Sequence, residues 1–316
     1  MNNRFATAIY GIGKSGVEVS FLRIDGGAGQ FGNGNADREA LIKLGGINVQ
    51  NVTVTNVELF APQGWSCLHL FEGRMTSGGY GMCYGATVSN NFIHDAGVPY
   101  GGLWADGISM ACEGTISGNT VRNVTDVGIV LFVNNVRVEN NVIENTNTFA
   151  FAAISMGAYK NQQILNNTIR QGLYYAGARS KPETDHEPLL PPPCEPNCEP
   201  EDGGSFDVAI AVGHPVWSRC NGTYSDATGT VISGNALVKR SAAYPYGGYG
   251  IALARLSNVT VTGNYATYVP SGRGSGCKDQ PMPDPAAAFQ FMECDSCLLQ
   301  PDFQPAVSLW NLLIKR

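Results

Sequence analysis

Three aspartates stand just ahead of short apolar triplets. Asp106 precedes Ile108-Ser-Met110 by two residues, Asp126 precedes Ile129-Val-Leu131 by three, and Asp207 precedes Ile210-Ala-Val212 by three. Two carboxyl groups in different protonation states are what acid–base cleavage of a glycosidic bond requires. Other polar groups recur around the same triplets. His69 is the middle residue of Leu68-His-Leu70, and Glu72, His214 and Arg255 each lie four positions after a triplet begins. Trp65 and Trp104 precede triplets, and indole faces stack well on sugar rings. Each residue also has a plainer role: an aspartate caps a turn through its own backbone, and a tryptophan covers a core edge. Their meaning depends on whether the chain brings them to one surface.

The elements that would do so repeat. The phrase apolar, any, Asn or Gly, Asn, any, apolar occurs at Val88–Ile93, Ile116–Val121, Val138–Ile143, Ile164–Ile169, Ile232–Leu237 and Val261–Ala266, with a degenerate copy at Val54–Leu59. Its second Asn falls at 91, 119, 141, 167, 235 and 264, intervals of 28, 22, 26, 68 and 29 residues. A period in this range suits one coil of a parallel β-helix, a solenoid of short stacked strands. The sharp bend between strands explains the Asn-Gly chemistry, because these residues enter the left-handed region at least cost. Stacked Asn amides can also hydrogen-bond from coil to coil. The triplets form a second series, at Leu68, Ile108, Ile129, Ile154, Ile210, Ile251 and Phe289. They predict a ladder of about seven strands.

Period-two alternation places the outer residues of each triplet inwards and the middle one outwards. The residue before each triplet is small (Cys67, Gly107, Gly128, Ala153, Ala209, Gly250, Ala288). Read as an outward column, it describes a shallow trough for an extended chain. On the same alternation Asp126 and Asp207 face outwards two coils apart, their backbones separated by about 10 Å, twice the interstrand spacing. Side-chain lean would bring the carboxyls into the roughly 6.5–9.5 Å range of inverting glycosidases. Asp106 falls formally inwards, unless a bulge turns it out beside Asp126.

The repeats, together with Trp104-Ala-Asp-Gly-Ile108 and Val124-Thr-Asp-Val-Gly-Ile129, resemble the right-handed parallel β-helix proteins of the pectate-lyase-like superfamily, over about residues 15 to 300. In particular they resemble a group of secreted β-helix proteins of unassigned reaction. The resemblance implies an all-β fold and a secreted protein. It leaves the chemistry open, since one fold hosts lyases, hydrolases and fibres. The Asn-Thr-Asp, Gly-His-Gly and Arg-Ile-Lys signatures of polygalacturonases are absent, Gly213-His214-Pro215 being the nearest trace.

Composition agrees with this reading. Of 316 residues 43% are apolar and only 15% charged, with 39 glycines and 26 asparagines, a balance that favours strands and turns. A net charge of −6 without a basic block excludes a nucleic-acid surface, and no apolar run is long enough to span a membrane. Nine cysteines, including the close pairs Cys194 with Cys198 and Cys294 with Cys297, point to disulfides. Zinc would need four converging ligands, so no metal is expected. Sequons at Asn51, Asn123, Asn166, Asn221 and Asn258 add to the expectation of an extracellular glycoprotein. The first twenty residues lack the apolar core of a signal peptide, so any leader is expected to lie outside this sequence.

The expected organisation is one β-helix domain over residues 1–316. A Pro- and Cys-rich loop interrupts it at about 173–206, with seven of the 17 prolines, and a capping segment closes it at about 298–316. The expected function is hydrolysis of an extended polysaccharide, with no cofactor, by Asp126, Asp207 and Asp106, with Trp65, His69, Glu72, Trp104, His214 and Arg255 binding the chain. The alternatives are a lyase acting on uronate-containing glycans, where calcium would enter, and a non-catalytic glycan-binding or structural β-helix.

Overall fold

The computed structural model describes residues 7–28, 36–71, 83–97, 103–146, 148–157, 159–171, 205–213, 225–239, 246–247, 249–267, 269–270 and 288–305. Every regular element among them is a strand, and the pairings between strands are parallel. The chain visits three ladders in a fixed order and returns to the first one rung further along. Ladder one pairs Ile9, Ile42, Leu68, Ile108, Ile129, Ile154, Ile210, Ile251 and Phe289 in succession. Ladder two pairs Val19, Val54, Val88, Ile116, Val138, Ile164, Ile232 and Val261. Ladder three pairs Ile24, Leu59, Ile93, Val121, Ile143, Ile169, Leu237 and Ala266. This all-β, all-parallel arrangement is consistent with a parallel β-helix. Each expected triplet occupies ladder one, and Ile9 and Ile42 add two earlier rungs.

The Asn phrase divides its labour between two residues. Its first Asn or Gly takes the left-handed conformation: Asn56, Asn90, Gly118, Asn140, Asn166, Gly234 and Gly263 have φ between 52° and 67°. Its second Asn is buried and stacks. The side-chain amides of Asn91, Asn119, Asn141, Asn167 and Asn235 each donate to the side-chain carbonyl of the next, at 2.8–3.0 Å, ending on Asn264. Each amide also donates to a main-chain carbonyl one coil back, as Asn141 does to Ile116. Gln300 closes the stack by accepting from the Asn264 amide at 3.0 Å. A buried polar column is stable only when every group is paired, and here one residue type supplies both partners.

The core is filled by the paired Ile, Leu and Val side chains of the three ladders. The small column before each triplet belongs to it, not to an outer trough. Cys67, Ala153 and Ala209 sit in the core cluster. A Cβ on Gly107 would come within 2.7 Å of Val121, one on Gly128 within 2.8 Å of Ile143, and one on Gly250 within 2.8 Å of Leu237, all in ladder three. At these three rungs ladders one and three approach so closely that nothing larger than glycine fits. Two consecutive residues therefore face inwards, and strict alternation fails at this point.

Two disulfides form among the described residues. Cys83–Cys112 joins partnered positions in strands of ladder two, and Cys294–Cys297 is one of the expected close pairs. Cys67 is a buried thiol, its pKa pushed up by burial. Of the expected capping segment, Leu298 bridges to Thr260 and Gln304–Pro305 pairs with Gln290–Phe291. Residues 306–316 lie outside the described residues. So does the interrupting loop, with Cys194 and Cys198, except for Ser205 and Phe206, which begin the strand Ser205–Val212. No helix among the described residues is long and apolar enough to cross a membrane. Two disulfides and that observation are compatible with secretion.

Candidate functional site on the outer face of ladder one

The inward pair before each triplet re-phases the outer face. The residues two before a triplet now point out, in the same direction as the triplet middles. Val127, Ala152, Val208 and Tyr249 pair in succession and join Val130, Ala211 and Ala252 in an apolar cluster separate from the core. Ser66 and Asp106 stand in the same column, one rung apart. Asp106 therefore faces outwards, which simple alternation denied it.

Around Asp106 the outer face is polar. The Ser109 hydroxyl lies 3.0 Å from Asp106 Oδ2 and 3.1 Å from Ser66 Oγ, and the Ser66 hydroxyl donates to the Leu68 carbonyl at 2.8 Å. Asp106 Oδ1 accepts the Val127 backbone N–H at 3.1 Å. Asp106 is only 3% exposed. Burial drives its pKa well above the usual carboxylate range, and the nearby charge of Asp126 drives it further. Asp126, on the next rung, is half-buried, and its carbonyl accepts from Phe151 N.

His69 is the neighbour of Ser109 in the triplet-middle column, and Lys43 is the next residue along. The imidazole is 3% exposed and stands edge-on to Trp65 at 5.1 Å and to Phe71 at 5.3 Å. Burial depresses its pKa to about 3, with Lys43 adding to the effect, so it is neutral at ordinary pH. His69 Nδ1 and Trp65 Nε1 are buried without hydrogen-bond partners. The Lys43 ammonium lies 5.3 Å from the centre of the Phe71 ring.

The expected site residues divide accordingly. Trp65, His69, Asp106 and Asp126 gather on neighbouring rungs. Asp207 is 3% exposed and lies two rungs beyond Asp126, with Phe151 in the corresponding position between them. Trp104 is 45% exposed, just ahead of the Asp106 strand. Arg255 is at the far edge, both it and Glu293 in the left-handed region, with Arg255 Nε 3.0 Å from Glu293. Glu72 and His214 lie outside the described residues. Among the sequons, Asn51, Asn166 and Asn258 are exposed, whereas Asn123 is 7% exposed, donates to Asp95 and accepts from Thr146. Asn221 lies outside the described residues.

The expected continuous trough is not what ladder one presents. Every triplet middle from His69 to Gln290 is buried, and from Val127 to Met292 the outer face is mostly apolar, with Phe132 and Phe151 packed on it and Ser155 and Gln290 as buried polar exceptions. Ser66, Ser109 and Lys43 were not among the expected site residues, because their relevance lies in rung registration. Among the described residues no group of three or more His, Cys, Asp or Glu side chains is placed to hold a metal ion. No protein-family model, no curated protein and no solved structure matches this chain.

Proposed function

We propose that this is a secreted, carbohydrate-active protein with the right-handed β-helix architecture of the pectate-lyase-like superfamily, and that it hydrolyses an extended polysaccharide at Asp106 and Asp126. The observation that supports the reading is the pairing of Asp106, a carboxyl buried on the outer face whose pKa that burial raises, with the half-buried Asp126 one rung away. Asp106 is the proton donor and Asp126 the ionised partner. Adjacent rungs put their backbones about 5 Å apart. That is closer than the Asp126–Asp207 pairing expected from sequence, and it favours the roughly 5–5.5 Å carboxyl separation of a retaining mechanism. Trp104 offers a stacking face for sugar at the edge of the site.

Lys43 favours a second reading, a lyase on uronate-containing glycans. An ammonium group beside the site would offset a uronate charge, the first requirement of that chemistry. Calcium would enter only in this reading.

The test is incubation with neutral and acidic polysaccharides, followed by assay of reducing ends and of the ultraviolet absorbance of unsaturated uronates. Reducing ends without absorbance, abolished by Asp126→Asn, support hydrolysis. Absorbing product supports the lyase. No product from any glycan removes catalysis and leaves a structural or glycan-binding β-helix.

A further inference from the structure

The hydrogen bonds around Asp106 can be counted proton by proton. Ser66 carries one hydroxyl proton and uses it on the Leu68 carbonyl at 2.8 Å, an oxygen that can only accept. The 3.1 Å contact between Ser66 and Ser109 then needs the Ser109 proton. The 3.0 Å contact between Ser109 and Asp106 Oδ2 is left with no serine proton to fill it. Three contacts in a row need three protons, and the serines hold two.

We infer that Ser66 and Ser109 are positioning residues that hold Asp106 as a neutral acid with its proton on Oδ2, directed at Ser109. Oδ1, which accepts the Val127 N–H, is then the carbonyl oxygen of that acid. The alternative sets Ser109's proton on an ionised Asp106 and leaves two buried serine oxygens facing each other with no proton between them, a costly arrangement away from water. The charged and titratable groups on the flanking rungs are Asp126 on one side and Cys67, a neutral buried thiol, with His69 and Lys43 on the other. Asp126 reinforces the neutral acid, His69 is itself uncharged, and Lys43 opposes it from a rung further off. The inference bears on the hydrolytic reading by fixing the form in which Asp106 starts; to act as that reaction's donor, the acid must turn its Oδ2 proton from Ser109 to the substrate.

The count makes an unusual demand. Ser66 hydrogen-bonds to Leu68 and Ser109 and not to Asp106, yet removing its hydroxyl frees the Ser109 proton for an ionised Asp106. The infrared carbonyl band of protonated carboxylic acid, taken as wild type minus Asp106→Asn across pH, reads this directly. Asn reproduces the donor and acceptor pattern of the neutral acid, so this variant should fold. The expected result is a band assigned to Asp106 that persists at neutral pH in the wild type, and that in Ser66→Ala disappears at a pH lower by about one unit, the worth of one hydrogen bond. A wild-type spectrum with no such band at neutral pH overturns the inference, as does a Ser66→Ala titration that is unmoved or shifted upwards. Should Ser66→Ala fail to fold, the wild-type spectrum alone decides. The band with no turnover of any polysaccharide keeps the proton assignment and removes the hydrolytic reading. Hydrolysis with an ionised Asp106 overturns the proton assignment and takes the donor's role from Asp106, while leaving the protein a hydrolase.

Discussion

The side-chain amide of Asn119 donates to the side-chain carbonyl of Asn141 at 2.9 Å, and that carbonyl also accepts the Asn119 backbone N–H at 2.9 Å. One oxygen thus fixes both the side chain and the main chain of the coil before it. Asn141→Ala strands the Asn119 backbone N–H, takes one acceptor from the Asn119 amide and one donor from the Ile116 carbonyl, and opens a gap in a buried column. At about 1–3 kcal/mol for each unsatisfied group, the loss should exceed about 3 kcal/mol in urea unfolding. Its chain neighbour Asn140 is exposed and left-handed, at φ 55°. Asn140→Gly, which enters that region freely, should change stability by less than about 1 kcal/mol. Similar losses in both variants would contradict the division of labour between the two residues.

Gly128 lies against ladder three, where an added Cβ would stand 2.5 Å from the Ala153 carbonyl oxygen and 2.8 Å from Ile143 Cγ2. A carbonyl oxygen in a parallel ladder cannot retreat without breaking its pairing. Gly128→Ala should therefore destabilise by about 1–3 kcal/mol. Were the small column the floor of an outer trough, the same change would be nearly neutral. A melting temperature equal to wild type would restore that view.

Much of the fold was legible because its devices are local. A left-handed residue followed by a stacking Asn leaves a recognisable phrase, and buried triplets leave another. The candidate site was less legible. Its geometry turns on a single extra inward residue before each triplet, which sequence shows only as smallness, and smallness suits an outer furrow and an inner close approach equally. That one-residue change of phase moved Asp106 to the outer face, one rung from Asp126, whereas Asp207 lies two rungs from Asp126. Ser66 and Ser109 could not be read at all, being 43 residues apart in sequence and meeting only through rung registration.

His69 titrates near 3 in the folded protein against 6.5 for the free side chain, because burial disfavours its charged form. The unfolded chain therefore binds a proton through this residue below about pH 6.5, while the folded chain stays neutral until about pH 3. His69's contribution to stability is present in full above pH 6.5 and is lost progressively as pH falls towards 3, with a limiting slope of about 1.4 kcal/mol per pH unit. His69→Phe, which keeps a ring against Trp65 and Phe71, should flatten the stability profile across that window. Chemical denaturation at a series of pH values measures it. An unaltered acid limb would place the proton uptake elsewhere.

The two disulfides differ in what they restrain and in what reaches them. Cys83–Cys112 closes a 29-residue separation between buried residues of adjacent coils, and Cys294–Cys297 spans only three residues at a partly exposed turn. Loop-closure entropy gives the first about 3.6 kcal/mol and the second about half as much. Mild reductant acting on the folded protein should open Cys294–Cys297 first, with the smaller change in unfolding midpoint. Cys83–Cys112 should resist until denaturant is added, and its loss should then lower stability sharply. Alkylation followed by peptide mass spectrometry reports the order of opening. Early labelling of Cys83 or Cys112 in the absence of denaturant would mean that these two coils part more readily than their shared core implies.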